Sequence, residues 1–234
     1  MTPSSPSTHP SSSMRSGRSR IAAGLLMTVL SLGLALSSDV RATQGFTEED
    51  DRVRGNPRAP LTLLEYSDFT CGYCEKFFEE TWPILFSEYI DTGKVRLVYR
   101  DFPRALSGPS VDTALAARCA GEQGRYWAMH DRLFSSSDKF SPAELRQQAE
   151  NLRLDAKKFD ACFEASRYTR DIFKDRIEAG QMGIRGTPHF ILYATENPKE
   201  AIAIPGAFPY EVFKEEIDKL LQTVSSPKAT SESL

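Results

Sequence analysis

The apolar run Leu61-Thr-Leu-Leu-Glu-Tyr66 leads through Ser67-Asp-Phe-Thr70 into Cys71-Gly-Tyr-Cys74. A strand that empties into Cys-x-x-Cys and then a helix places both sulfurs on one helical turn, within bonding reach of each other. The helix N-terminus carries partial positive charge and unpaired N–H groups, which favour a thiolate over a thiol. The first cysteine is therefore expected to be reactive, with a depressed pKa. The competing reading of Cys-x-x-Cys is half of a zinc site, which needs two more ligands at suitable spacing. Cys119 and Cys162 stand alone, and the histidines are His9, His130 and His189. The context favours redox chemistry, and no metal is expected.

The N-terminus reads as an export signal. Arg15, Arg18 and Arg20 precede an uncharged apolar stretch from Ile21 to Leu36, and Val40-Arg-Ala42 offers small residues for cleavage after Ala42. That stretch has 16 residues, short of the roughly 20 that span a bilayer; an uncleaved anchor is the alternative. Residues 1–13 are Ser/Pro-rich, and Met14 would begin a signal of ordinary length. Beyond residue 42 the chain has 25 basic and 31 acidic side chains, a balance that gives no reason to expect nucleic acid or anionic lipid. Disulfides persist outside the cytoplasm. With Cys71 and Cys74 already neighbours, a structural bridge between Cys119 and Cys162 is expected.

Residues 43–56 read as a polar leader. Strands are expected at Leu61–Ser67 and Lys94–Asp101, with a helix from Cys71 to Asp91 between them, kinked at Pro83. A strand, helix, strand unit with a short return implies parallel pairing. Residues 107–183 read as helical: one long pattern over 109–134 broken near Gly121 or Gly124, a capped start at Ser141-Pro-Ala-Glu144, a short helix after Asp155, and a last helix over 167–182. A hairpin of His189–Tyr193 and Ala201–Ile204 is expected to turn around Glu196-Asn-Pro198. A closing helix is expected over Pro209–Val224. Residues 225–234 are polar and read as a disordered tail. The order β-α-β, helical block, β-β-α predicts an α/β fold with one mixed sheet, formed by 57–106 and 184–224, and an inserted helical domain.

Three features together make the chain similar to the DsbA-type thiol:disulfide oxidoreductases: Glu65-Tyr-Ser-Asp-Phe-Thr-Cys71-Gly-Tyr-Cys74, Gly186-Thr187-Pro188, and the two cysteines of the insertion. The resemblance covers roughly 57–222 and implies a thioredoxin fold with a helical insertion. It implies an exported, periplasmic, monomeric enzyme with no cofactor beyond its dithiol/disulfide pair. Its partners would be unfolded or misoxidised exported proteins and a membrane redox partner that recycles the dithiol.

Residue by residue, Cys71 is the expected nucleophile and Cys74 the resolving cysteine. Gly72 leaves room for a client chain. Thr187-Pro188 matches the family's cis-proline dipeptide, which lies beside the cysteines and pairs with an extended client strand. Glu65, six residues before Cys71, matches the buried acid that moves the proton of the second cysteine. By alternation it shares a face with Leu61 and Leu63, so burial should raise its pKa. Asp68 reads as a turn or cap residue, and His189 as packed in its strand. Tyr126, Trp127, His130 and Phe134 read as packing of the insertion against the sheet, with a peptide groove as the alternative. Tyr73 departs from the histidine of the strongest oxidants, which predicts a milder oxidant. The Gly-Tyr dipeptide and Thr187 leave an isomerase or reductase as alternatives, although 43–60 is too short for an isomerase's dimerisation domain. A holdase without redox turnover, or a metal carrier, would be other classes of function.

Overall fold

The computed structural model describes residues 52–136 and 140–225. The expected signal with its Ala42 site, most of the expected leader and the tail after Ser225 lie outside the described residues.

Strand β2 (Leu61–Ser67) is buried along its whole length. It pairs parallel with β3 (Val95–Asp101) and antiparallel with β4 (His189–Ala194). Cover on both faces explains why β2 reads as a continuous apolar run. The sheet order is β1-β3-β2-β4-β5. In this mixed sheet β5 (Asn197–Pro205) is an edge, where Pro198 can lack an N–H without breaking an interior ladder. The hairpin turns earlier than expected: Ala194 already faces Asn197, after a register shift between Leu192 and Ala194.

Strand β1 (Val53–Arg54) pairs antiparallel with β3, inside the segment expected to be leader. Two residues carry no period, so side chains identify this strand better than sequence does. Trp127 Nε1 donates to the Val53 carbonyl at 3.1 Å. Arg54 bonds both Asp131 oxygens, at 2.6 and 2.9 Å, and its guanidinium lies over the rings of Phe86 and Trp127. Gly55 follows with φ +99°; a Cβ there would sit 2.8 Å from Ile90 Cγ2.

The expected helix from Cys71 to Asp91 is four consecutive pieces. They are α1 (Gly72–Lys76), a π-helical turn (Phe77–Thr81), α2 (Trp82–Leu85) and a second π-helical turn (Phe86–Ile90). The first break precedes Pro83 rather than falling on it. Proline has no N–H to close the normal ladder, and the widened turn before it sends the Trp82 N–H back to the Phe77 carbonyl.

Between β3 and β4 come α3 (Pro109–Gly121), α4 (Tyr126–Phe134), α5 (Pro142–Asn151), α6 (Ala156–Glu164) and α7 (Thr169–Gln181). Gly124, at φ +68°, makes the turn between α3 and α4. Ser141 and Glu144 form the expected capping box, and Asp155 accepts the Lys158 N–H. Helix α8 (Tyr210–Ser225) closes the chain's described part.

One sheet face buries Leu61, Leu63, Leu97 and Phe190 against Phe77, Leu85, Phe213 and Ile217. The other buries Leu64, Tyr66 and Val98 against Ala179 and Ile184. A third cluster fills the helical block and reaches the sheet through Phe69 and Tyr99. A bridge between Cys119 of α3 and Cys162 of α6 lies inside it. At the end of β3, Arg118 donates to Asp101 and to Asp175, both at 2.7 Å, and Arg52 donates to Asp175 at 2.6 Å. This buried charge cluster ties α3 and α7 to the strand.

Candidate active site

The end of β2 delivers the chain into a turn built on Asp68. Its Oδ1 accepts the Thr70 N–H and hydroxyl, both at 2.7 Å. Its Oδ2 accepts the Ser110 hydroxyl at 2.6 Å and the Arg104 N–H at 2.8 Å. The Cys71 N–H donates to the Asp68 carbonyl at 3.0 Å. This fully used carboxylate fixes where helix α1 starts. Cys71 is the residue just before the helix, with extended backbone, and Cys74 lies inside it.

Both cysteines are free thiols and buried, Cys74 completely and Cys71 with 4% of its surface exposed. The pair divides one proton unequally. The Cys74 thiol, hydrogen-bonded to Cys71, is the foremost cause that lowers the Cys71 pKa to about 5. The Thr187 side chain and the backbone N–H groups of Cys74 and Tyr73 add to it, against burial. Burial and the neighbouring Cys71 sulfur push Cys74 well up. The first sulfur is therefore a thiolate near neutral pH and the second a thiol.

The Thr187–Pro188 peptide bond is cis. It sets the Thr187 carbonyl 3.4 Å from Cys71 Sγ. The Thr187 hydroxyl is buried without a partner at hydrogen-bond geometry, yet close enough to Cys71 to lower its pKa. A Cβ added at Gly72 would meet no atom within 4 Å, so the backbone beside Cys71 is uncovered. Tyr73 is 68% exposed. Tyr73, Lys76, Thr187, Ala207 and Phe208 line a cleft of about 240 Å³. Thus Cys71, Cys74, Gly72, Tyr73, Thr187 and Pro188 come together at one place.

Glu65 faces the same side of the sheet as Leu61 and Leu63, opposite Tyr99 of β3. Burial raises its pKa from 4.5 to about 7, with Ser67 opposing. Ser67 is the residue that the sequence did not single out. It lies two positions on from Glu65, on the same face. Its hydroxyl is buried with no hydrogen-bond partner, yet close enough to lower the pKa of both Glu65 and Cys74. A serine at a strand end carries no signal by itself; only the fold puts it between a carboxyl and a thiol.

Cys119 and Cys162 are bridged to each other and share the hydrophobic cluster that also holds Cys71 and Cys74. His130 sits among Phe69, Phe78, Tyr99, Trp127 and Phe134, with its pKa lowered by burial. The aromatic stripe of α4 packs in the core. His189 is half-buried in β4, and burial lowers its pKa. Among the described residues no group of three or more His, Cys, Asp or Glu stands together as metal ligands. Nor is any described helix long and apolar enough to cross a membrane.

The protein-family model described as thioredoxin matches residues 47–201. This chain belongs to the thioredoxin family. Among solved structures, α-DsbA1 of Wolbachia pipientis superposes with a TM-score of 0.67 at 26% identity, covering 76% of this chain and 94% of that one. The architecture is that of the DsbA-type thiol:disulfide oxidoreductases, as the motifs imply. A protein of Rickettsia bellii named as a protein-disulfide oxidoreductase is 32% identical over 94 residues, 40% of this chain and 36% of that protein. The protein named Na(+)/H(+) antiporter NhaA 3 of Salinispora tropica is 36% identical over 143 residues, 61% of this chain and 21% of that protein. The chain spans about a fifth of the length of the antiporter-named relatives it matches.

Proposed function

We propose that this chain is an exported disulfide donor that oxidises thiol pairs in client proteins. The observation that carries the reading is the split between the two cysteines: Cys71 held low, near 5, and Cys74 pushed up. A low pKa at the first cysteine stabilises the reduced pair relative to the disulfide, which makes the disulfide the better oxidant.

In the oxidised protein a client thiolate attacks Cys71 Sγ. The Cys71–Cys74 bond breaks, a mixed disulfide forms, and the Cys74 sulfur leaves with the bonding pair. Glu65, with a pKa about 7, supplies a proton to that sulfur. A second client thiolate then attacks the client sulfur of the mixed disulfide. Cys71 departs as a thiolate, and its low pKa makes it the better leaving group. The client gains a disulfide and two electrons stay on Cys71 and Cys74. An external oxidant, in our reading a membrane redox partner, must remove them. The client backbone lies along Thr187, and the apolar cleft at Ala207 and Phe208 receives a side chain.

The test is incubation of the oxidised protein with a reduced, unfolded client. Wild-type protein should form client disulfides. Cys71→Ser should form none. Cys74→Ser, which has no disulfide to donate, should also form none; offered a disulfide-bonded client instead, its Cys71 thiolate should attack that bond and mixed disulfides through Cys71 should accumulate, because no second cysteine releases them. Capture through Cys74 in the Cys71→Ser variant, with none through Cys71, would reverse the assignment.

A further inference from the structure

A second cleft of about 410 Å³, sharing no lining residue with the apolar one, adjoins the cis-proline loop through Gly186. Arg104, Arg176 and Arg185 line it together with Phe102 and Gly186. Its two ends touch the elements that hold Cys71. Arg104 Nη2 donates to the Thr70 carbonyl at 2.6 Å, one residue before Cys71. Gly186 directly precedes Thr187, whose carbonyl meets Cys71 Sγ.

The charges in this cleft are only partly answered. Arg104 is shared with Asp68, Nε to Oδ2 at 3.4 Å. Arg176 donates to the Ala105 carbonyl at 3.4 Å and lies over the Phe102 ring. Arg185 donates to the carbonyls of Gly180 and Ile184, at 2.9 and 3.2 Å. Among the described residues neither Arg176 nor Arg185 is within salt-bridge distance of a carboxylate. On α7, Asp175 is held in the buried cluster, and Glu178 lies close enough to Tyr66 to raise its pKa. Three guanidiniums converge on one concave surface although acidic side chains outnumber basic ones in the chain. Such a surface concentrates anions, and the guanidinium fork fits a carboxylate.

We propose that this cleft selects client segments carrying Asp or Glu beside the reacting cysteine, on the side opposite the residue that enters the apolar cleft. This deepens the disulfide-donor reading and rests on it. A client strand lying along Thr187 would cross both clefts. One would hold an apolar side chain and the other an acidic one, with the cysteine between them at Cys71. The partner chemistry is an extended acidic-flanked cysteine, recognised by charge at encounter and by hydrogen bonds once bound.

The test uses two peptides of one sequence, each with a single cysteine, flanked on that side by Glu-Glu or by Lys-Lys. Their exchange rates with the oxidised full chain are compared at low and at high salt. The acidic peptide should react about tenfold faster than the basic one at low ionic strength, and the ratio should fall toward one in about 0.5 M salt. Arg176→Gln/Arg185→Gln should collapse the ratio at low salt, and Arg176→Lys/Arg185→Lys should keep most of it, which separates charge from loss of structure. Anisotropy of the same peptides with the cysteine replaced by serine gives the preference without redox chemistry. Equal ratios in wild-type and Gln variant, with equal binding, would overturn this proposal alone. Absence of exchange with either peptide would overturn the disulfide-donor reading, while the serine peptides would still decide the cleft's selectivity.

Discussion

A carboxyl with a pKa about 7 on a strand lined by leucine costs the folded protein stability whenever it is charged. Glu65 has an ordinary value of 4.5 and a folded value of about 7. Between these the native state binds more protons than the unfolded chain, so stability falls as pH rises through this window. Above it the cost is about 3 kcal/mol. Glu65→Gln should therefore raise the denaturation midpoint at pH 8 and leave it nearly unchanged at pH 4, while slowing formation of the mixed disulfide between the oxidised protein and a client thiol. A midpoint gain of equal size at both pH values would show that charge is not the cause. The carboxyl was legible in the sequence because its offset from Cys71 and the alternation of β2 both point inward. Ser67 was not, since its significance depends on Cys74 arriving above it from the next element. The low Cys71 pKa was legible only in part. The helix end is visible in the motif, but the Thr187 contribution comes from a loop over a hundred residues away.

Among elements, the insertion is held by a covalent and an electrostatic tie. The Cys119–Cys162 bridge closes a separation of 43 residues between α3 and α6, which stabilises by roughly 4 kcal/mol in the chain-entropy view. Replacing both with Ala should lower the denaturation midpoint markedly yet leave Cys71 alkylation at pH 6 intact, because the groups that lower the Cys71 pKa are Cys74, Thr187 and the Tyr73 backbone and not the bridge. Loss of that reactivity in a variant that remains folded would mean the insertion shapes the site more directly. The helix breaks and caps were readable from Gly124, Ser141, Glu144 and Asp155, where local chemistry decides. Strand β1 was not readable, because Val53 and Arg54 are fixed by Trp127 and Asp131 of a distant helix. The cluster of Arg52, Asp101, Arg118 and Asp175 was invisible for the same reason: its members come from four places in the chain. The sequence after Cys71 reads as one helix kinked at Pro83 and does not reveal the two π turns, since apolar spacing hardly distinguishes an α-helix from one widened by a π turn.

At the scale of the molecule, the sheet supplies the buried acid, the cis-proline loop and the floor of the site, and the insertion covers the Phe69 and Tyr99 side of it. The element order was enough to expect one mixed sheet with a helical insertion, because few folds place Cys-x-x-Cys between the strands of a βαβ unit and then interrupt the sheet with helices; the acid and the cis-proline loop at the site were expected only from the resemblance to the DsbA-type enzymes. The direction of electron flow is a property of the assembled whole. It depends on how far hydrogen bonds, rather than a cation at position 73, hold Cys71 as a thiolate. Equilibration of the Cys71–Cys74 pair against glutathione buffers at pH 7 measures that balance. We expect a potential more oxidising than the roughly −270 mV of thioredoxin and milder than the roughly −120 mV of DsbA. A value at or below thioredoxin's would contradict the disulfide-donor reading and make the chain a reductant.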